Sequence, residues 1–203
     1  LNGGFTEQQG KTFFDTVTLL RKNGIDPGIV HAGNSGAILS HPQWNFDMVR
    51  PGILLYGYYP SRNMPNQPAF LPVMELETKI VFLKRVPAGT PISYGMTYRT
   101  PRETIIATIG VGYGDGFNRL LSNKGKVLIN GTLYPVAGRV CMDQTMVDMG
   151  PEADVTIHQK AVLFGPDPAG NSAWDIAELT GTIPYEVICN VNKRVPRVYI
   201  DNR

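Results

Sequence analysis

The sequence predicts an α/β unit, of the parallel-barrel or doubly wound kind, running into a mainly-β domain. Three observations carry this reading. Residues 1 to 60 alternate helix, strand, helix, strand, the rhythm of a parallel α/β fold. Residues 61 to 72, within "PSRNMPNQPAFLP", are rich in Pro and Asn and read as a linker. Residues 73 to 203 are a succession of β-rich runs interrupted by one short helical pattern.

The elements follow in order. "TEQQGKTFFDTVTLLRKN", residues 6 to 23, predicts an amphipathic helix. Thr6 is its candidate N-cap, Phe13, Phe14, Val17 and Leu20 recur at helical spacing, and Gly24 stops it. "IDPGIVHAGNSGAILSHP" predicts a short buried strand, a polar turn and a short helix ending before Pro42. "FDMVRPGILLYGYYP" predicts a second short strand whose turn carries Arg50, Pro51 and Gly52. Beyond the linker, "VMELETKIVFLKRV" alternates like a long strand, and "TIIATIGVG", "TMVDM" and "KAVLFG" add others. "KVLINGTLYPVAGRV" predicts a hairpin with Asn130-Gly131 at its tip, because a type I′ turn needs positive φ at both central residues. "SAWDIAELTG" predicts a helix capped by Ser172, with Asp175 completing a capping box and Gly181 ending it.

Composition narrows the function. The chain has 203 residues, 42% hydrophobic and 18% charged, enough to build a core in one large domain or two small ones. The net charge is only +2 and the basic residues are scattered, which excludes a dedicated nucleic-acid surface. No apolar run reaches the roughly 18 residues of a membrane span, and no secretory signal opens the chain. Cys141 and Cys189 have apolar neighbours and are expected to be buried free thiols, as in a reducing, cytoplasmic compartment. The chain opens "LNGGFTEQQG" without Met and runs at once into a helix, so it is expected to begin inside a fold.

Residues 109 to 119, "IGVGYGDGFNR", carry four glycines at alternate positions after an apolar run. A dinucleotide loop would need G-x-G-x-x-G opening a helix, so that free N–H groups face the pyrophosphate. Asp115 stands where the third glycine should be, and only a short turn can follow. The stretch is expected instead to be a close-approach loop that displays Tyr113. Tyr56, Tyr94 and Tyr185 also stand beside glycine or proline, where a half-buried aromatic with a wet hydroxyl is the ordinary occupant.

Taken together, "HAGNSGAIL", "MVRPGILLYG", "VPAGTPISYGMTY", "GVGYGDGFNR", "VAGRVCMDQTMVDM", "GTIPYEV" and "NKRVPRVY" resemble the alanine racemase family, and they occur in its order. The resemblance runs from about residue 28 to residue 199. It implies an isomerase with an N-terminal (β/α)8 barrel, a C-terminal β domain, pyridoxal phosphate as cofactor and a homodimeric assembly. This chain would supply the last barrel strands, to residue 60, and the C-terminal racemase domain, residues 73 to 203.

The resemblance also implies roles. Ser35, Gly52 and Ile53 match ligands of the cofactor phosphate, on the loops after barrel strands 7 and 8, and Tyr185 matches another. Arg50 matches the arginine that faces the pyridine nitrogen, and His31 is expected to support that site rather than react. Tyr94 matches the catalytic tyrosine, one of two acid/base groups that must flank the substrate's α-carbon. A phenol titrates near 10 in water, so a base of this kind needs cationic neighbours or hydrogen bonds. Tyr113 matches a residue at the active-site entrance, and both tyrosines would serve the other subunit. Met142 matches the residue whose backbone N–H meets the substrate carboxylate, and Asp143 belongs to its loop. The family's cofactor lysine stands in a motif resembling "VKADAYGHG", which does not occur here, so the Schiff-base lysine is not in this chain. The chain alone is therefore expected to be inactive; the expected partners are a second copy in the homodimer of the intact enzyme, or a separate N-terminal fragment. Two alternatives share these motifs: a serine or broad-spectrum racemase, and a non-catalytic remnant that binds pyridoxal phosphate or a partner.

Overall fold

Helix α1 (Gly3–Lys22) opens the computed structural model, which describes residues 3–64, 68–166 and 171–200. It starts earlier than the sequence suggested, so Thr6 lies within its first turn rather than at a cap. Val17 is buried and Leu20 partly so, but Phe14 is largely exposed. Gly10 is where Trp44 packs on the helix: a Cβ there would lie 2.3 Å from the indole. Phe46 stacks edge-on against Phe13, centroids 5.2 Å apart.

The two strands expected near residues 25–31 and 46–50 are not continuous strands. They are extended segments running parallel, joined by the bridge Asn34–Arg50 and by the Arg50 N–H donating to Gly33 O (2.7 Å). Asp47 adds a carboxylate that accepts from the Val30 N–H (3.0 Å). A lone parallel pair shares few ladder bonds, and parallel pairing is the weaker kind, so the ladder does not extend. Helix α2 (Ser35–Ser40) leaves the first segment, capped by Asn34, whose Oδ1 accepts from Ala37 N, and it stops at His41 before Pro42. A 3₁₀ turn (Ile53–Tyr56) leaves the second and closes on Gly57 at φ 78°.

The chain divides into two compact units, Leu1–Leu71 and Pro72–Arg203. Residues 65–67 of the expected linker lie outside the described residues. The second unit is built on β1 (Leu76–Val86), β2 (Pro91–Ile92), β3 (Tyr98–Arg99), β4 (Thr104–Ile109), β5 (Lys126–Ile129), β6 (Thr132–Pro135), β7 (Thr145–Asp148) and β8 (Lys160–Phe164). Six form one antiparallel sheet in the order β6-β5-β8-β1-β4-β7. The edge strands return towards each other: Val136 bridges Val147, and Ala137 N–H donates to Met146 O (2.8 Å), so the sheet is a nearly closed barrel. Near-closure hides edges that would otherwise expose unpaired backbone. Its core is apolar: Ile80, Ala107, Ile109, Val127, Val147, Ala161 and Leu163 are fully buried.

The β5–β6 hairpin turns at Asn130-Gly131 with φ of 50° and 72°, as the Asn-Gly pair demands. Helix α3 (Ala173–Thr180) has the reciprocal Ser172–Asp175 capping box and ends at Gly181, φ 73°. Helix α4 (Pro184–Cys189) follows. Cysteine burial is corrected here. Cys141 is half-buried and Cys189 exposed, because α4 turns Val187 and Ile188 inward and leaves Cys189 on its outer side.

Candidate functional site

In the first unit the two parallel segments bring four of the expected residues together. Ser35 begins α2 at the end of one segment; Arg50, Gly52 and Ile53 follow the other. The Ser35 hydroxyl is buried and accepts from the Gly52 N–H at 2.9 Å. Its own proton has no protein acceptor among the described residues, nor has the Ile53 N–H. Gly52 leaves open space: a Cβ there would meet nothing closer than Ser35 Oγ at 3.9 Å. A hydroxyl, a spare backbone donor and a bare glycine make a donor set suited to a phosphate. The Arg50 guanidinium is bonded to His31 Nδ1 and reaches Ala32 O (3.5 Å), so His31 orients the arginine.

In the second unit, Tyr94 sits on a device that the sequence did not disclose. Strands β2 and β3 form a two-residue ribbon, and Tyr94–Met96 is the 3₁₀ turn at its tip. Ser93 and Met96 take φ of 65° and 50°, which L side chains seldom adopt. Such strain persists only where the surroundings over-determine it. Here they do. Ser93 Oγ donates to Arg139 O (2.8 Å), Gly138 leaves room for Ser93, and Asn123 Nδ2 donates to Thr97 Oγ1 (3.2 Å). At the ribbon's base, Ile92 and Tyr98 pack on Val86, Ile106 and Ala137. Tyr98 Oη donates to the buried Asp148 (2.5 Å), which also accepts from Thr104 Oγ1 and the Gly150 N–H. Burial and then this bond push the Tyr98 phenol up to about 12. Burial pushes the Asp148 carboxyl up, but the bonds from Thr104, Tyr98 and Gly150 outweigh it and hold the group below its ordinary range. The ribbon thus holds Tyr94 outward at 76% exposure.

The glycine stretch is a close-approach loop. Tyr113 N–H donates to Cys141 O and Gly114 N–H to Met142 O, both at 2.9 Å. A Cβ on Gly112 would lie 2.2 Å from Cys141 O, and one on Gly116 would lie 2.3 Å from Asn190 O. The alternate glycines let the loop lie between the 141–143 and 190–194 segments. Asp115 accepts from the Gly112 N–H (2.9 Å) and pins the turn. Tyr113 and Met142 are therefore neighbours, both substantially exposed. Among the described residues neither the Tyr113 nor the Tyr94 hydroxyl has a hydrogen-bond partner, and the Met142 N–H donates to no protein acceptor.

These motifs have close counterparts. Residues 73–199 match the model of the alanine racemase C-terminal domain, and residues 2–60 match that of the N-terminal domain. The chain belongs to the alanine racemase family. It is 45% identical over 201 residues to an alanine racemase of Treponema denticola, covering 97% of this chain and 53% of the relative. It is 47% identical over 203 residues to alanine racemase 1 of Clostridium acetobutylicum, covering 99% and 53%. Among solved structures, an alanine racemase of Clostridium difficile in complex with cycloserine superposes with a TM-score of 0.94 at 39% identity, covering 100% of this chain and 53% of the other. That of Streptomyces lavendulae gives 0.89 at 38%, covering 98% and 52%. The chain thus spans about half the length of the racemases it matches.

Of the racemase-like residues, Tyr185 lies half-buried in the first turn of α4, one residue after Pro184. The sequence reading missed Arg194 as well as the Tyr98–Asp148 pair. Arg194 Nε donates to Asp115 (2.8 Å) and its Nη2 to Asp143 (2.7 Å). No helix among the described residues is long and apolar enough to cross a membrane.

Proposed function

We propose that this chain is the C-terminal portion of a pyridoxal-phosphate-dependent alanine racemase, a cytoplasmic homodimer that interconverts L- and D-alanine for bacterial cell-wall synthesis. The observation that carries the reading is the Ser35–Gly52 contact at the end of two paired segments, in a chain of this family. Bound pyridoxal phosphate supplies the electron sink that acidifies the substrate's α-proton. The Ser35 hydroxyl and the Gly52 and Ile53 N–H groups would hold its phosphate, and Tyr185 is assigned a phosphate contact by the family motif alone. Arg50 would face the ring nitrogen, where a guanidinium would favour an unprotonated nitrogen. His31 holds the guanidinium in place.

Racemisation removes a proton from one face of the α-carbon and returns one to the other. Tyr94 handles the proton on one face, opposite a lysine that this chain does not contain. Its exposure suits a group that reaches into a partner's site. Tyr113 stands at the entrance, and the Met142 N–H receives the substrate carboxylate. The test is proton exchange in the full-length protein with L- or D-alanine in deuterated water. Tyr94→Phe is expected to slow deuterium incorporation from one enantiomer more than from the other. Unchanged incorporation from both would remove Tyr94 from the reaction. Turnover of serine at the rate of alanine would replace the alanine-specific reading with a broad-spectrum racemase.

A further inference from the structure

Arg194 joins three parts of the second unit. It sits beyond α4, in "NKRVPR", a segment held by Asn192 N–H donating to Asp115 O (3.0 Å) and by Arg197 Nη1 donating to Asn192 O (2.9 Å). Its Nε donates to Asp115 on the glycine loop, its Nη2 to Asp143 beside Met142, and the same Nη2 lies 3.4 Å from Met142 O. Gly114 makes room for it, since a Cβ there would lie 2.4 Å from Nη2. The three side chains are unequally exposed: 17% for Asp115, 44% for Arg194 and 64% for Asp143. Exposed ion pairs contribute little to stability, so the Arg194–Asp143 pair calls for another explanation.

Among the described residues the Met142 N–H has no protein acceptor, and Asp143 is the next residue. An unmatched carboxylate beside that donor would repel any anionic group approaching it. We propose that Arg194 is a positioning residue that neutralises Asp143 and fixes its loop, so that the Met142 N–H can receive an amino-acid carboxylate. The inference rests on the racemase reading above. Asp115 is the second anchor, and it aims the guanidinium, because a planar fork held at Nε has little freedom left at Nη2.

The test uses the full-length racemase. Arg194→Gln keeps the aliphatic stem and a polar end near the position of Nε, and removes the guanidinium with its charge. It is expected to raise KM for both alanine enantiomers about fivefold, the effect of one unscreened charge near a substrate anion, while kcat stays within about twofold. Adding Asp143→Asn to Arg194→Gln is expected to restore KM, because the uncovered carboxylate is gone. High salt is expected to lower KM in Arg194→Gln and not in the parent. Arg194→Lys, which keeps a cation without the fork, is expected to fall between. If Arg194→Gln leaves KM unchanged, or if the double variant is as impaired as the single, the proposal is overturned. A parent protein that does not racemise alanine would sink the racemase reading instead, and the two failures are distinguishable in one set of assays.

Discussion

Gly112→Ala isolates the reason for the glycine stretch. Gly112 has φ −152°, extended backbone open to any residue, so alanine adds no conformational strain. The whole effect is steric. The new Cβ would lie 2.2 Å from Cys141 O, 2.4 Å from Met142 O and 2.5 Å from Met142 C, all backbone atoms that cannot rotate away. Relief needs the 141–142 segment to retreat by about 1 Å, which carries the Tyr113–Cys141 and Gly114–Met142 bonds past hydrogen-bonding reach. Two lost bonds at about 1 kcal/mol each, with an overpacking cost of about 1–3 kcal/mol, give about 3–5 kcal/mol. Gly131→Ala is the control. Its φ is 72° and its Cβ would meet nothing within 4 Å, so it costs only the left-handed penalty, about 1–2 kcal/mol. Urea unfolding followed by circular dichroism reads the difference. With a slope of about 2 kcal/mol per molar, the midpoint should fall by about 1.5–2.5 M for Gly112→Ala and by at most about 1 M for Gly131→Ala. Equal shifts, or a larger one for Gly131→Ala, would refute the close-approach argument.

Ser35→Ala removes the acceptor of the Gly52 N–H and the proposed phosphate donor; in the full-length protein, fluorescence titration should show pyridoxal phosphate binding about tenfold weaker, and unchanged affinity would take Ser35 out of the proposed cradle. Tyr98 has its pKa raised on folding, from 10.0 to about 12, so its contribution to stability is complete below pH 10 and is lost as pH rises to 12. Tyr98→Phe should therefore destabilise the protein by about 1–3 kcal/mol below pH 10, by stripping a donor from buried Asp148, and should flatten the alkaline loss. Parallel pH–stability slopes for parent and variant would contradict the pairing.

Local chemistry was legible in the residues. The Ser172–Asp175 capping box and the Asn130-Gly131 turn each depend on a few neighbouring positions and stand in the structure as expected, and β1 is the expected long strand, though a register shift between Ile80 and Phe82 breaks its alternation. The paired segments of the first unit were legible as apolar runs but not in their extent, because a strand is completed by its neighbours. The ribbon under Tyr94 left no signal, since strands of two residues carry no periodicity. Cys189 misled because apolar neighbours in a helix say little about which side faces water.

By itself the sequence determined the long helix, the β-rich runs of the second unit, the Asn130-Gly131 turn, the Ser172 cap and the motifs that mark the racemase family, all of them properties of type and spacing. Only the tertiary structure decided that β8 lies between β5 and β1, that the sheet nearly closes, and that Arg194 meets Asp115 across 79 positions of chain. The glycines of residues 110 to 116 show the division most plainly: the sequence displayed four bare positions, and the fold laid other backbone against at least two of them. The physical reason is that propensity acts between neighbours along the chain, whereas contact, charge pairing and close approach are settled by burial among segments far apart in it.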